Sequence, residues 1–209
     1  MSDELIFFTN PQSRGRVVRW MLEEIGVPYE ARIVQYGPDM KAPEYLAINP
    51  LGKVPAIRHN GAVVTETGAI CAYLADAFPQ AGLIPPLGTA ERAAYFRWMY
   101  FGAGPLDGAS TNKALGVEVP PEKRGTVGYG SFELVVSTLE NRLKEAPYFA
   151  GDAFSAADIY TGSMLGWLTQ FKVIPLSPTF ETYLGRLYQR PAALRAAAMD
   201  NALVSPKQT

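Results

Sequence analysis

Up to Phe78 the apolar residues come in short runs broken by polar turns; after Gly88 they recur in longer stripes at helical spacing. Leu5-Ile6-Phe7-Phe8 is a continuous apolar run, the pattern of a strand buried on both faces. Thr9-Asn10-Pro11-Gln12-Ser13 is a polar turn, and Ser13 is a good N-cap for the helix after it. Val17, Met21, Leu22 and Ile25 predict that helix, and Gly26 ends it. Tyr29 to Val34 reads as a second strand, so strand, helix and strand imply a parallel pair with a right-handed crossover. Gly37 to Ile48 reads as a loop and short helix. Lys53 to Arg58 and Ala62 to Thr65 are two further strands joined through His59-Asn60-Gly61, because Asn-Gly tolerates the positive φ of a tight hairpin. Glu66-Thr67 then opens a helix through Ala69, Ile70, Tyr73, Leu74 and Phe78. The order βαβ-α-ββα is thioredoxin-like, and residues 1–80 form the first expected domain.

Residues 81–88, with Leu83-Ile84-Pro85-Pro86, suit a linker because paired prolines oppose a helix. Strand signals then stop, and residues 89–209 predict an all-α domain. Thr89 caps a helix carrying Ala93, Phe96, Trp98, Met99 and Phe101. A long helix is expected from Pro121 to Glu145, one opened by the capping-box-like Ser155-Ala156-Ala157-Asp158, and two more over Thr179–Gln189 and Pro191–Ala202. The glycine-rich stretch from Gly102 to Val119 resists assignment and reads as a loop that shapes substrate entry.

Composition narrows the chemistry. Hydrophobic residues make up 48% and charged residues 19% of 209, enough for a sizeable core. A formal net charge of -1 gives no general attraction to nucleic acid or an anionic membrane, and no apolar stretch has the length of a membrane span or a signal peptide. A cytoplasmic protein is expected. Cys71 is the single cysteine and His59 the single histidine, which excludes a disulfide framework and a Cys- or His-rich metal centre. Ser-His-Asp catalysis is disfavoured, because its base could only come from a turn.

The most informative segment is Asn49-Pro50-Leu51-Gly52-Lys53-Val54-Pro55-Ala56-Ile57, followed by Glu66-Thr67. Proline at a strand entrance removes a ladder donor. If the Val54-Pro55 bond is cis, the Val54 amide and carbonyl face outward and can pair with an extended peptide. Glu66-Thr67 at a helix start offers a carboxylate, a hydroxyl and free amides, which suit an α-ammonium beside an α-carboxylate.

The run Glu44-Tyr45-Leu46-x-x-Asn49-Pro50-x-Gly52-Lys53-Val54-Pro55, with Glu66-Thr67-x-Ala69-Ile70-x-x-Tyr73-Leu74, resembles the soluble, cytosolic glutathione transferases, bacterial-type and of a serine-type or related subclass. Ala150-Gly151-Asp152-x-Phe154-Ser155-x-Ala157-Asp158 resembles the capping motif of that family's helical domain. The resemblance implies glutathione as co-substrate and no metal. Val54, beside cis-Pro55, would pair with the cysteinyl backbone. Glu66 and Thr67 would hold the γ-glutamyl end, Thr67 standing where the family more often has Ser. Lys53 and Lys41 would lie near the glycyl carboxylate, with a solvated surface lysine the other reading of Lys41. A homodimer is also implied.

A free thiol of pKa about 8.5 is only about 3% ionised at pH 7. Lowering that by about two units takes roughly 2.7 kcal/mol, more than a helix terminus comfortably supplies, so a hydrogen-bond donor to the sulfur is expected. Many family members use a tyrosine near the end of the first strand, but this chain has none before Tyr29. Ser13 is the expected donor, displaced by one position from the family's serine, which falls at Gln12. Thr9, Asn10 and Gln12 stay open as alternatives. Arg14, Arg16 and Arg19 read as a solvated basic face, and Cys71 as a small core residue.

The electrophile's site is expected between Ser13 and the helical domain. Trp98, Tyr100, Phe101 and Trp167 are candidate walls whose helical spacing equally fits ordinary core. The expected activity is conjugation of the glutathione thiolate to an apolar electrophile. The alternatives are glutathione-dependent reduction of disulfides or peroxides, and a non-catalytic binding or assembly module.

Overall fold

The computed structural model describes residues 4–204, which divide into two compact units. One comprises the chain up to Ala81 together with the segment from Gln189; the other is Gly82–Tyr188.

In the first unit, β1 (Leu5–Thr9) is followed by α1 (Gly15–Ile25), β2 (Glu30–Ile33), the short helices α2 (Pro38–Lys41) and α3 (Pro43–Leu46), β3 (Ala56–His59), β4 (Ala62–Thr65) and α4 (Thr67–Ala77). The sheet order is β2-β1-β3-β4, with β1 parallel to β2 and antiparallel to β3. All five residues of β1 are buried, as a central strand requires, whereas edge strand β2 is exposed throughout. Ile6, Phe8, Val34, Met40, Tyr45 and Ala56 form a core cluster, and α1 and α4 pack against each other and against the sheet. The β3–β4 hairpin turns through Asn60 at φ 50 and Gly61 at φ 79, the paired positive values that favour Asn-Gly. His59 lies inside β3 rather than in the turn. It is 5% exposed, with Nδ1 2.9 Å from the Tyr73 hydroxyl. The thioredoxin-like arrangement expected from the sequence is the one observed.

The final helix, α10 (Pro191–Leu203), packs on α1 within this first unit. Charge order explains the match. α1 carries Arg16 and Arg19 toward its start and Glu23 and Glu24 toward its end; α10 begins near Arg190 and Arg195 and ends near Asp200 and Asn201. Arg190 grips Glu24 with two bonds of 2.7 and 2.8 Å, and Arg195 reaches Glu23 at 3.2 Å. Arg19 meets Asp200 at 2.7 Å, and Arg16 donates to Asn201 at 2.9 Å. The solvated basic face expected for Arg14, Arg16 and Arg19 holds for the exposed Arg14 and is corrected for Arg19, which is 1% exposed, placed over the Phe7 ring and bonded to Tyr29.

The second unit contains α5 (Ala90–Phe101), α6 (Asp107–Ala114), α7 (Phe132–Glu145), α8 (Ser163–Gln170) and α9 (Pro178–Tyr188). Thr89 caps α5 by accepting from Arg92 N at 3.2 Å, and Ser131 caps α7 by accepting from Leu134 N at 3.2 Å. Two expectations fail here. Gly102 to Val119 is not one open loop, because a π-helical turn at Gly102–Leu106 carries α5 into α6. The wider turn is where Pro105, lacking an N–H, is accommodated. Gly102 is needed because a Cβ there would run into the Thr161 hydroxyl and lie 3.0 Å from the Tyr160 ring. The long helix expected from Pro121 starts instead at Phe132, since Gly125, Gly128 and Gly130 interrupt the earlier segment and leave a 3-10 stretch at Pro121–Thr126.

Ser155 and Asp158 do pair. The buried Asp158 carboxylate accepts from Ser155 N (3.0 Å), Ser155 Oγ (3.1 Å), Phe149 N (2.8 Å) and Tyr183 OH (2.9 Å). Burial still outweighs these donors and pushes its pKa up to about 6.

Candidate functional site

Sheet register brings three separated segments to one edge. Phe8 on β1 pairs with Ala56 on β3, which pairs with Thr65 on β4. The next residues along the chain are Thr9, leading into the Asn10–Ser13 turn, and Glu66-Thr67, opening α4; the residues just before Ala56 are Val54-Pro55. A polar turn, a free piece of backbone and a helix start therefore leave the sheet side by side.

The Val54-Pro55 bond is cis. Val54 is half-buried, and its backbone N–H and C=O have no hydrogen-bond partner among the described residues. Such groups normally find one, so this is an open place for an added peptide strand. The loop before it is held from behind. Tyr45 OH donates to Lys53 O at 2.6 Å, Asn49 Nδ2 donates to the same carbonyl at 2.8 Å, and Leu51 N donates to Asn49 Oδ1 at 3.1 Å. Burial pushes the Tyr45 hydroxyl up to about 12, so it remains a donor. Gly52 has φ 57, and a Cβ there would meet the Met40 carbonyl. Lys41 Nζ donates to Leu51 O at 3.0 Å, which makes it a brace for this loop as well as a surface cation. Lys53 is exposed.

Glu66 occupies φ 67 and ψ 119, a region that costs a residue with a Cβ of order 1–3 kcal/mol and tends to persist at functional positions. Its side chain is exposed and makes no cap bond, and the first amides of α4 have no side-chain partner among the described residues. Thr67, 9% exposed, stands at the first helical position. A free 11-residue helix start beside an exposed carboxylate can take both ends of an α-amino acid group.

In the turn after β1, Ser13 Oγ donates to Asn10 O at 2.7 Å and accepts from Gly15 N at 2.9 Å. It thus satisfies the first amide of α1 from one residue before the N-cap position, which Arg14 holds without a side-chain bond, and its own proton is spent on a carbonyl. Asn10 is 3% exposed and used structurally: Nδ2 donates to Val34 O at 3.1 Å and Oδ1 accepts from Gln12 N at 3.0 Å. Gln12 is exposed, and its carbonyl accepts from the Tyr36 hydroxyl at 3.2 Å. Thr9 is fully buried, its hydroxyl without a partner among the described residues and pressed against Gly15. Tyr36 and Arg16, whose Nε donates to Pro11 O, are tethers of this turn that no local pattern announces.

Of the four aromatic candidates for an electrophile wall, Trp98 is 1% exposed, packed against Phe101 and Phe149 in the core of its unit, and has no face to offer a ligand. Phe101 is half-buried, while Tyr100 is 73% exposed and Trp167, packed against Phe171 with the rings tilted by 47°, is 55% exposed. Cys71 is core, as expected: it is 0% exposed, and burial pushes its thiol up to about 12.

The sequence model of the glutathione S-transferase N-terminal domain matches residues 13–77, and that of the C-terminal domain matches residues 132–191. The chain is 30% identical over 161 residues to "Glutathione S-transferase 3" of Schizosaccharomyces pombe, covering 70% of this chain and 66% of that protein. It is 29% identical over 204 residues to the "Disulfide-bond oxidoreductase YfcG" of Escherichia coli K12, covering 89% and 91% respectively. Among solved structures, a glutathione transferase homologue from Sulfitobacter with bound glutathione superposes with a TM-score of 0.75 at 26% identity, over 97% of this chain and 100% of that one.

Proposed function

The chain belongs to the glutathione S-transferase family, whose members are glutathione-utilising enzymes, and on that premise we propose that it transfers the glutathione thiolate to an apolar electrophile. The observation that carries the binding half is the unpaired Val54 backbone beside the free start of α4. Val54 N–H and C=O pair with the cysteinyl unit, Glu66 receives the ammonium, and Thr67 with the first amides of α4 receives the neighbouring carboxylate. Lys53 and Lys41 face the glycyl carboxylate.

Glutathione supplies the nucleophile, a thiol that the protein must keep ionised. Ser13 meets that need by turning its proton from the Asn10 carbonyl to the sulfur while keeping the Gly15 N–H. The exchange is favourable, because a hydrogen bond to a charged acceptor is roughly twice as strong as one between neutral groups. The active form is a cytoplasmic homodimer.

One rival has an observation of its own: similarity to a disulfide-bond oxidoreductase supports glutathione-dependent disulfide reduction on the same fold. That chemistry would run through glutathione sulfurs alone, since Cys71 is sealed in the core. Calorimetry with glutathione, then parallel assays with an aryl halide, a hydroperoxide and a mixed disulfide, decide the matter. Turnover of the aryl halide is expected. Turnover of the mixed disulfide alone favours the rival, and binding with no turnover favours a non-catalytic module.

A further inference from the structure

The turn from Asn10 to Gln12 presents three consecutive carbonyls, and each is taken by a donor. Asn10 O receives Ser13 N at 3.1 Å and Ser13 Oγ at 2.7 Å, and Gln12 O receives Tyr36 OH at 3.2 Å. Pro11, which is buried, has its carbonyl taken by Arg16 Nε. A carbonyl left free here would aim a negative dipole end near the place where a thiolate must sit. Arg16 removes that dipole from play and adds a fixed positive charge behind the turn. Its other arm is held too: Nη2 donates at 2.9 Å to Asn201 Oδ1 on α10, next to the Asp200 that Arg19 holds at 2.7 Å. Turn, guanidinium and C-terminal helix thus form one hydrogen-bonded chain within the first unit.

We infer that Arg16 is the positioning residue of the thiolate turn, holding the Pro11 carbonyl away from the sulfur, and that Asn201 of the C-terminal helix holds Arg16 in place. This rests on the reading that the turn faces the glutathione sulfur. Arg16 acts on the turn and touches no ligand, so its loss raises the pKa of bound thiol more than it weakens tripeptide binding through Val54, Glu66 and Thr67.

The experiment follows the ultraviolet absorbance of bound glutathione thiolate against pH, with the glutathione Kd by calorimetry, in the parent protein and in R16Q, R16K, N201A and R195Q. R16Q is expected to raise the thiol pKa by about 0.5–1 unit, since it removes a charge and a charge-assisted donor, with Kd changing less than about threefold. R16K restores part of the shift by keeping the charge. N201A moves the pKa the same way by less, and it decides the point if R16Q does not fold. R195Q, which breaks an α1–α10 contact remote from the turn, leaves the thiol pKa alone. If R16Q and N201A merely lower the melting temperature and titrate like the parent, Arg16 is a staple between helices and the inference is overturned. A parent protein without affinity for glutathione overturns the underlying reading and this inference with it.

Discussion

Two hydroxyls near the start of α1 are in opposite situations. Ser13 is fully engaged, donating to Asn10 O and accepting from Gly15 N, whereas the buried Thr9 hydroxyl has no partner among the described residues. Ser13→Ala should therefore do two things: raise the pKa of bound glutathione thiol, and lower unfolding free energy by about 1 kcal/mol through the lost cap of Gly15 N. Thr9→Val removes an unsatisfied polar atom without changing shape, so stability should stay level or rise slightly. Thiol titration together with denaturant unfolding of both variants checks this. A raised thiol pKa in Thr9→Val with none in Ser13→Ala would move the donor role to Thr9. The sequence marked the turn that follows β1, because polar residues between an apolar run and a helical stripe mark a turn. It could not tell which hydroxyl was engaged, since that depends on where Gly15 N and Asn10 O point.

Among the elements, α8 and the π-helical turn before it, Asp158–Gly162, hang on Asp158, a carboxylate at 0% exposure with four donors. Its pKa is raised by burial from the ordinary value of 3.8 to about 6. Between those values the folded state binds the proton and the unfolded state does not, so stability falls as pH rises through the window and is flat above it. A difference of that size corresponds to about 3 kcal/mol. Side-chain carboxyl NMR should place the Asp158 midpoint near 6, and urea unfolding should show stability declining from about pH 4 to 6 in the parent and not in Asp158→Asn. A midpoint near the ordinary carboxylate value would mean that the four donors cancel the burial. The Ser-x-x-Asp spacing was legible because a capping box is local. The π turn at Gly102–Leu106 was not, because Gly and Pro argue against a helix in any local reading and only packing against Tyr160 and Thr161 makes them fit.

At the scale of the whole molecule, α10 returns to the unit that holds α1. A chain ending at Tyr188 would leave Arg19 without Asp200, and Glu24 without Arg190. Stranding a buried charge costs about 3–5 kcal/mol, a large part of a typical stability of about 5–15 kcal/mol. Such a truncation should lose cooperative unfolding of the first unit, read by circular dichroism and by proteolysis of α1. A melting curve matching the full chain would show that α10 is dispensable. The amino-acid sequence by itself determined the order of strands and helices, the Asn-Gly hairpin, the Val54-Pro55 opening and the helix start at Glu66-Thr67, all written in neighbouring residues. Tertiary structure alone decided that Arg19 is buried, that Lys41 braces the Leu51 and Gly52 carbonyls, and that a C-terminal helix reaches the turn at Ser13 through Arg16. Each of these joins positions far apart in the chain, and side-chain partners at that distance leave no periodic trace for a local pattern to carry.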